Sequence, residues 1–254
     1  MTPKPGWLGE TPVPGATRHL VVASRALRAG VRIAVWAPVR AGVRTRLPLL
    51  VVHDGPAYER ESGLTRYAGA MIARGRLPPH RVALLAAEDR DEWYSASARY
   101  ARALTTEILP AVGNAVAVDG APVGMGASLG GLAMVHAEHR SPGTFAGLFA
   151  QSASFFTARF DGHESGFERF RRIARFVGGA ARGPATPHAP PTVLTCGREE
   201  ENLDNNRAFA RALASRGWPV ELHEVAGMHD HVAWRDALDP HLTGLLARVW
   251  GPRA

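Results

Sequence analysis

Cysteine is almost absent: Cys196 is the only one in 254 residues. That excludes an intrachain disulfide framework and any cysteine-rich zinc site. Lysine is as scarce, since Lys4 is the sole lysine among 30 basic residues and the rest are arginine. No apolar run approaches the ~20 residues of a membrane helix; Leu47-Pro48-Leu49-Leu50-Val51-Val52 is among the longest. The opening Met1-Thr2-Pro3-Lys4-Pro5-Gly6-Trp7 lacks the apolar core of a secretory signal, so a cytoplasmic protein with no membrane partner is expected. With 27 Gly and 19 Pro there is no collagen-like or low-complexity character, and 46% hydrophobic residues exclude disorder as the dominant state.

Basic residues outnumber acidic ones, 30 to 23, for a net charge of +7. Guanidinium forks favour planar anions such as carboxylates and phosphates, so one reading is an anionic ligand or a nucleic acid. The other is compositional bias. The arginines are scattered and no nucleic-acid reader motif is present, which favours the second and leaves nucleic acid out as a partner. The one local cluster is Arg169, Arg171, Arg172 and Arg175.

Residues 1–16 are rich in Pro and Gly and read as an irregular arm. His19–Ser24 and Val31–Trp36 predict a β-hairpin about Gly30. The buried run Leu49–Val52 ends at His53-Asp54-Gly55, a strand followed by a loop. Further strands are expected at Val82–Ala86, Val123–Met125, Phe145–Ala150, Thr192–Thr195 and Val220–Val225. Helical spacing marks Leu64–Ala73, Tyr100–Val112 (interrupted near Pro110), Leu129–His139, Phe167–Val177, Asn202–Arg216 and His231–Val249. Alternation of strand and helix from residue 49 onward predicts a single α/β domain over 1–254. Its central sheet should be mostly parallel, with helices on both faces and the hairpin at one edge. Residues 157–190 break the rhythm and read as a lid-like insertion.

Gly126-Ala127-Ser128-Leu129-Gly130 fits G-x-S-x-G. The pentapeptide alone is weak, but here a strand enters and a helix leaves. That is the nucleophile-elbow context, in which a strained turn exposes the serine and the helix start aims the Leu129 N–H at a developing oxyanion. A serine needs a base. In the order Ser, acid, His, the base falls after the last strand, where His229 is the first choice and His231 the second. Chelation of a metal by His229 and His231 is the lesser reading, since no other ligand cluster appears. The acid belongs after the preceding strand, at Glu199-Glu200-Glu201, among which chemistry alone does not choose. A second oxyanion donor belongs to the loop after Leu49–Val52.

The assembled motifs resemble the esterase family of α/β-hydrolases that includes the enterochelin (ferric siderophore) esterases. The resemblance runs from about His19 to Leu246. It is carried by Leu50-Val51-Val52-His53-Asp54-Gly55, Gly124-Met125-Gly126-Ala127-Ser128-Leu129-Gly130-Gly131-Leu132 and Gln151-Ser152-Ala153-Ser154-Phe155-Phe156. Cys196-Gly197-Arg198-Glu199-Glu200-Glu201-Asn202-Leu203 and Gly227-Met228-His229-Asp230-His231-Val232-Ala233-Trp234-Arg235 complete it. It implies an α/β-hydrolase fold, Ser128 as nucleophile, His229 as base and Glu200 as acid, without cofactor or metal. The activity it implies is that of a serine carboxylic-ester hydrolase working through an acyl-enzyme.

Two departures stand out. Pro56 occupies a position whose N–H serves the oxyanion in related enzymes, and proline has none; Gly55 or Ala57 must donate instead, or catalysis is weak. At 254 residues the chain is not expected to carry the additional N-terminal domain common in siderophore esterases. An acyltransferase of the same fold, a pseudo-esterase and a basic binding protein are the competing readings. The expected partner is a small-molecule ester, anionic if the Arg169–Arg175 face or Arg90 steers it, and a homodimer is the assembly considered. Arg90, Trp93, Tyr94 and Arg235 are expected to shape the pocket, whereas Trp234, Phe155 and Phe156 are expected in the core.

Overall fold

The computed structural model describes residues 4–186 and 188–251. Residues 1–3 of the expected arm, residue 187 of the expected insertion and residues 252–254 lie outside it. Eight strands form one sheet: β1 (Gly15–Ser24), β2 (Ala29–Pro38), β3 (Leu49–Val52), β4 (Arg81–Leu85), β5 (Val123–Ala127), β6 (Gly147–Gln151), β7 (Thr192–Gly197) and β8 (Val220–Val225). Their spatial order is β1-β2-β4-β3-β5-β6-β7-β8. β1 pairs antiparallel with β2, and β2 with β4; all later pairs are parallel. β3, β4, β5, β6 and β7 are buried at every position, as a sheet covered on both faces requires. The expected mostly parallel sheet with an edge hairpin is therefore what the chain builds.

The covering helices are α1 (Gly55–Ser62), α2 (Leu64–Ala73), α3 (Arg90–Tyr94), α4 (Ala98–Ala103), α5 (Leu109–Ala115), α6 (Leu129–Arg140), α7 (Phe170–Arg182), α8 (Leu203–Ala214), α9 (His231–Asp236) and α10 (Thr243–Trp250). On α7 the buried residues are Phe170, Ile173, Val177 and Ala180, a helical stripe that packs toward α8. Each large apolar side chain so buried contributes about 1.5–3 kcal/mol.

Several local expectations are corrected. The hairpin turn lies at residues 25–28, with Arg28 at φ +56°, while Gly30 sits within β2 opposite Ala23. The arm is not wholly irregular. Gly6–Gly9 forms a 3-10 turn that buries Trp7, edge-on to Tyr67 at 5.5 Å, and β1 already begins at Gly15. Pro110 does not interrupt its helix: a π turn over Leu104–Ile108 joins α4 to α5 and places the proline in the first turn of α5, where its missing N–H is harmless. The expected helix His231–Val249 is broken instead. Asp239, just before Pro240, adopts φ −113°, ψ 119°, because proline drives its predecessor out of the helical region.

Candidate active site

The parallel strands end on one side of the sheet, where α/β folds gather their reactive loops. Between β5 and α6 the chain turns at Ser128, which holds φ 55°, ψ −127°. A side chain at positive φ is strained and is held there by its surroundings. Ser128 N–H donates to Gln151 O (2.9 Å), and Ser128 O accepts from Leu132 N–H (3.1 Å) and Ser154 N–H (3.2 Å). Gly126 is required by contact: a Cβ there would lie 2.5 Å from the Gly130 carbonyl carbon. Ser128 Oγ meets Ser154 Oγ at 3.2 Å.

Of the three successive glutamates, Glu200 is the one that meets His229, with Oε2 2.8 Å from Nδ1. Its carboxylate is 1% exposed. The other oxygen, Oε1, accepts from Ser152 Oγ and from Gly197 N–H, both at 2.7 Å. Ser152 Oγ in turn accepts from Trp234 Nε1 at 3.0 Å. Trp234 is in the core as expected, yet its indole N–H supports the carboxylate network; a buried indole needs such a partner. Glu201 is turned outward to His163 (3.0 Å). His231 does not approach a glutamate of this group: it opens α9, with Nδ1 3.4 Å from Ser62 Oγ. The two loop histidines thus have different polar partners, and no group of three or more potential metal ligands occurs among the described residues. Cys196 is buried, and burial, aided by the Glu200 charge, pushes its thiol up to about 12, so it is inert beside the serine.

Ser128, Ser154 and His229 line one cavity of about 340 Å³, with Phe156 and Met228 as its apolar parts and Asn202 alongside. Glu164, from the 157–190 insertion, and Glu199, Glu200 and Glu201 supply its charge. A larger cleft of about 560 Å³ lies against β1, β2 and α1 and shares none of these residues.

The residues after β3 form the beginning of α1 rather than a loop. Asp54 occupies the left-handed region as its N-cap and Pro56 sits in its first turn, a position proline favours because that N–H has no intrahelical partner. Ala57 N–H is engaged by Asp54 O at 2.9 Å, so of the two expected donors only the Gly55 N–H stays uncommitted among the described residues. Gly55 packs so closely on β4 that a Cβ would stand 2.4 Å from Leu84 Cα. Leu129 opens α6, where first-turn N–H groups lack intrahelical acceptors.

Other expected pocket residues do not line the cavity. Arg90 Nε pairs with Asp54 Oδ2 at 2.9 Å. Trp93 and Tyr94 are buried, with Tyr94 stacked on His53 at 4.3 Å. Arg235 pairs with Asp236 at 2.7 Å. From the arginine cluster, Arg172 Nη1 lies 2.9 Å from Glu92 Oε1 and Arg169 Nε 2.8 Å from Glu92 Oε2. These arginines bind α7 to α3 instead of facing a ligand. Reasoning from the motifs missed Ser152, Ser154, Glu92, His53 and Tyr100. The available signal was a polar run, Gln151-Ser152-Ala153-Ser154, directly after a buried strand.

A family model described as Putative esterase matches residues 24–245. Iron(III) enterobactin esterase of Dickeya dadantii (strain 3937) is 28% identical over 204 residues, a span of 75% of this chain and 46% of that protein. The chain thus covers about half the length of this curated relative. Among solved structures, enterobactin esterase from Shigella flexneri in the presence of enterobactin superposes with TM-score 0.78 at 24% identity, over 98% of this chain and 62% of that one. A ferulic acid esterase superposes with TM-score 0.76 at 18% identity, over 93% and 99%. At these identities the structures testify to a shared fold. With a family model spanning most of its length and an elbow serine at the end of the fifth strand, the chain belongs to the Putative esterase family of α/β-hydrolase proteins.

Proposed function

We propose that the chain is a serine carboxylic-ester hydrolase in which Ser128 is the nucleophile, His229 the base and Glu200 the acid. The observation that carries the reading is the buried Glu200 carboxylate, bonded to His229 Nδ1 on the cavity that also holds the strained Ser128. Glu200 holds the imidazole with its proton on Nδ1, leaving Nε2 to take the Ser128 proton and stabilising the imidazolium that results. Ser128 gives up its proton to His229 across the cavity that both line and attacks the ester carbonyl. The oxyanion is received by the N–H groups of Leu129 and Gly55. His229 then protonates the leaving alcohol, and water, activated by the same base, hydrolyses the acyl-serine. With Gly55 as donor, Pro56 leaves the oxyanion site complete.

The cavity suits a small ester, and the names of the relatives supply the first substrates to assay, enterobactin and a ferulate ester. The test is labelling with a fluorophosphonate probe alongside ester hydrolysis. The parent is expected to label and turn over. Ser128→Ala should neither label nor hydrolyse above about 10⁻⁴ of the parent rate, and Glu200→Gln should lose on the order of 10²–10⁴ in kcat. Labelling that survives Ser128→Ala refutes the assignment.

A further inference from the structure

The hydrolase reading leaves unexplained a fully buried imidazole beside the Asp54-Gly55 segment. His53 is the last residue before Asp54-Gly55 and is 0% exposed. Its Nδ1 lies 2.9 Å from Gly130 O. A carbonyl only accepts, so Nδ1 carries the proton and Nε2 is left as an acceptor. Tyr100 OH, 2.8 Å from Nε2, donates to it. The His53 ring stacks on Tyr94 at 4.3 Å and 23°, and Tyr94 OH accepts the Asp54 N–H at 3.4 Å. Both ring nitrogens are thereby engaged, Nδ1 as donor and Nε2 as acceptor.

Gly130 follows Leu129, and Gly55 lies two residues after His53. One imidazole therefore links the two backbone segments that would carry the oxyanion donors. We propose, resting on the hydrolase reading, that His53 is a positioning residue that sets the separation of the Leu129 and Gly55 N–H groups, with Tyr100 holding it in the Nδ1–H tautomer. His53 touches no substrate, and the base His229 stands on a different loop. A misplaced donor weakens only the transition state, because the oxyanion exists only there. The loss should then fall on kcat and spare KM.

The experiment compares His53→Leu, His53→Asn and Tyr100→Phe with the parent on a p-nitrophenyl ester. Active sites are titrated with a fluorophosphonate so that kcat refers to folded enzyme, and phenylboronic acid serves as the transition-state probe. His53→Leu is expected to lower kcat on the order of 10–10²-fold, with KM within about twofold and boronate affinity falling in parallel. His53→Asn keeps an N–H aimed at Gly130 O and should recover most of the rate. Tyr100→Phe should lose a few-fold in kcat alone. An unchanged kcat in His53→Leu overturns the proposal, as does a rise in KM with kcat intact or an asparagine variant no better than leucine. If His53→Leu does not fold, the contrast between His53→Asn and Tyr100→Phe decides: a Tyr100→Phe kcat equal to the parent overturns it. A parent that takes no label defeats the hydrolase reading itself, and the strut with it; a labelled parent with indifferent His53 variants defeats the strut alone.

Discussion

At the scale of single residues, the site rests on side chains whose charge states burial has already chosen. Burial lowers the His53 pKa from the usual 6.5 to about 3, against the raising effect of its bond to Gly130 O. His80, lowered to about 4, and His136, lowered to about 3, are buried in the same sense. Between pH 6.5 and 3 the unfolded chain binds protons that the folded chain refuses, so stability is full above pH 6.5 and falls as pH drops through that window. Asp54 and Glu138, raised chiefly by burial, act in the opposite direction, so only a difference between variants isolates His53. His53→Asn should flatten the slope of unfolding free energy against pH, between pH 6 and 4, by about 1.4 kcal/mol per pH unit. Urea midpoints across that range measure it, and parallel slopes in parent and variant would refute it. His53 itself was in plain view beside the Asp54-Gly55 pair. Its role was not, because its partners Gly130 and Tyr100 lie 77 and 47 residues away.

At the scale of elements, the insertion between β6 and β7 is held rather than loose. Glu92 of α3 accepts Arg172 Nη1 at 2.9 and 3.0 Å and Arg169 Nε at 2.8 Å. Arg172 also donates to the carbonyls of Glu92 (2.8 Å) and Ser95 (2.5 Å). The Glu92 side chain is 18% exposed, so these charge-assisted bonds are less screened than ordinary surface pairs. Glu92→Ala is expected to remove about 1–3 kcal/mol and to speed tryptic nicking within 157–190, while Ser128 still takes up label. Unaltered nicking would mean that the apolar face of α7 alone fixes the segment. The amphipathic pattern of α7 was legible as a helix in sequence. That its arginines would meet a carboxylate of the protein itself was not legible, because no local signal announces a glutamate 80 residues earlier.

At the scale of the molecule, a net charge of +7 coexists with a cavity wall carrying Glu164, Glu199 and Glu201. Arg90, Arg172 and Arg235 are paired with Asp54, Glu92 and Asp236. Local potential follows the wall rather than the sum. Matched esters bearing an ammonium, no charge or a carboxylate should therefore show kcat/KM in that descending order. The spread should be a few-fold to about tenfold at low ionic strength and should shrink with added salt; preference for the carboxylate ester would reverse the inference. The sequence by itself determined the strand–helix alternation, the parallel sheet, the elbow at Ser128 and the loops that carry His229 and three glutamates. These follow from hydrophobic period and turn chemistry, which act over a few residues. Tertiary structure alone decided which glutamate meets the histidine, which of Gly55 and Ala57 keeps a free N–H, and whether each arginine faces a ligand or a carboxylate. Those outcomes depend on partners brought together from distant strands and on how much water remains between them.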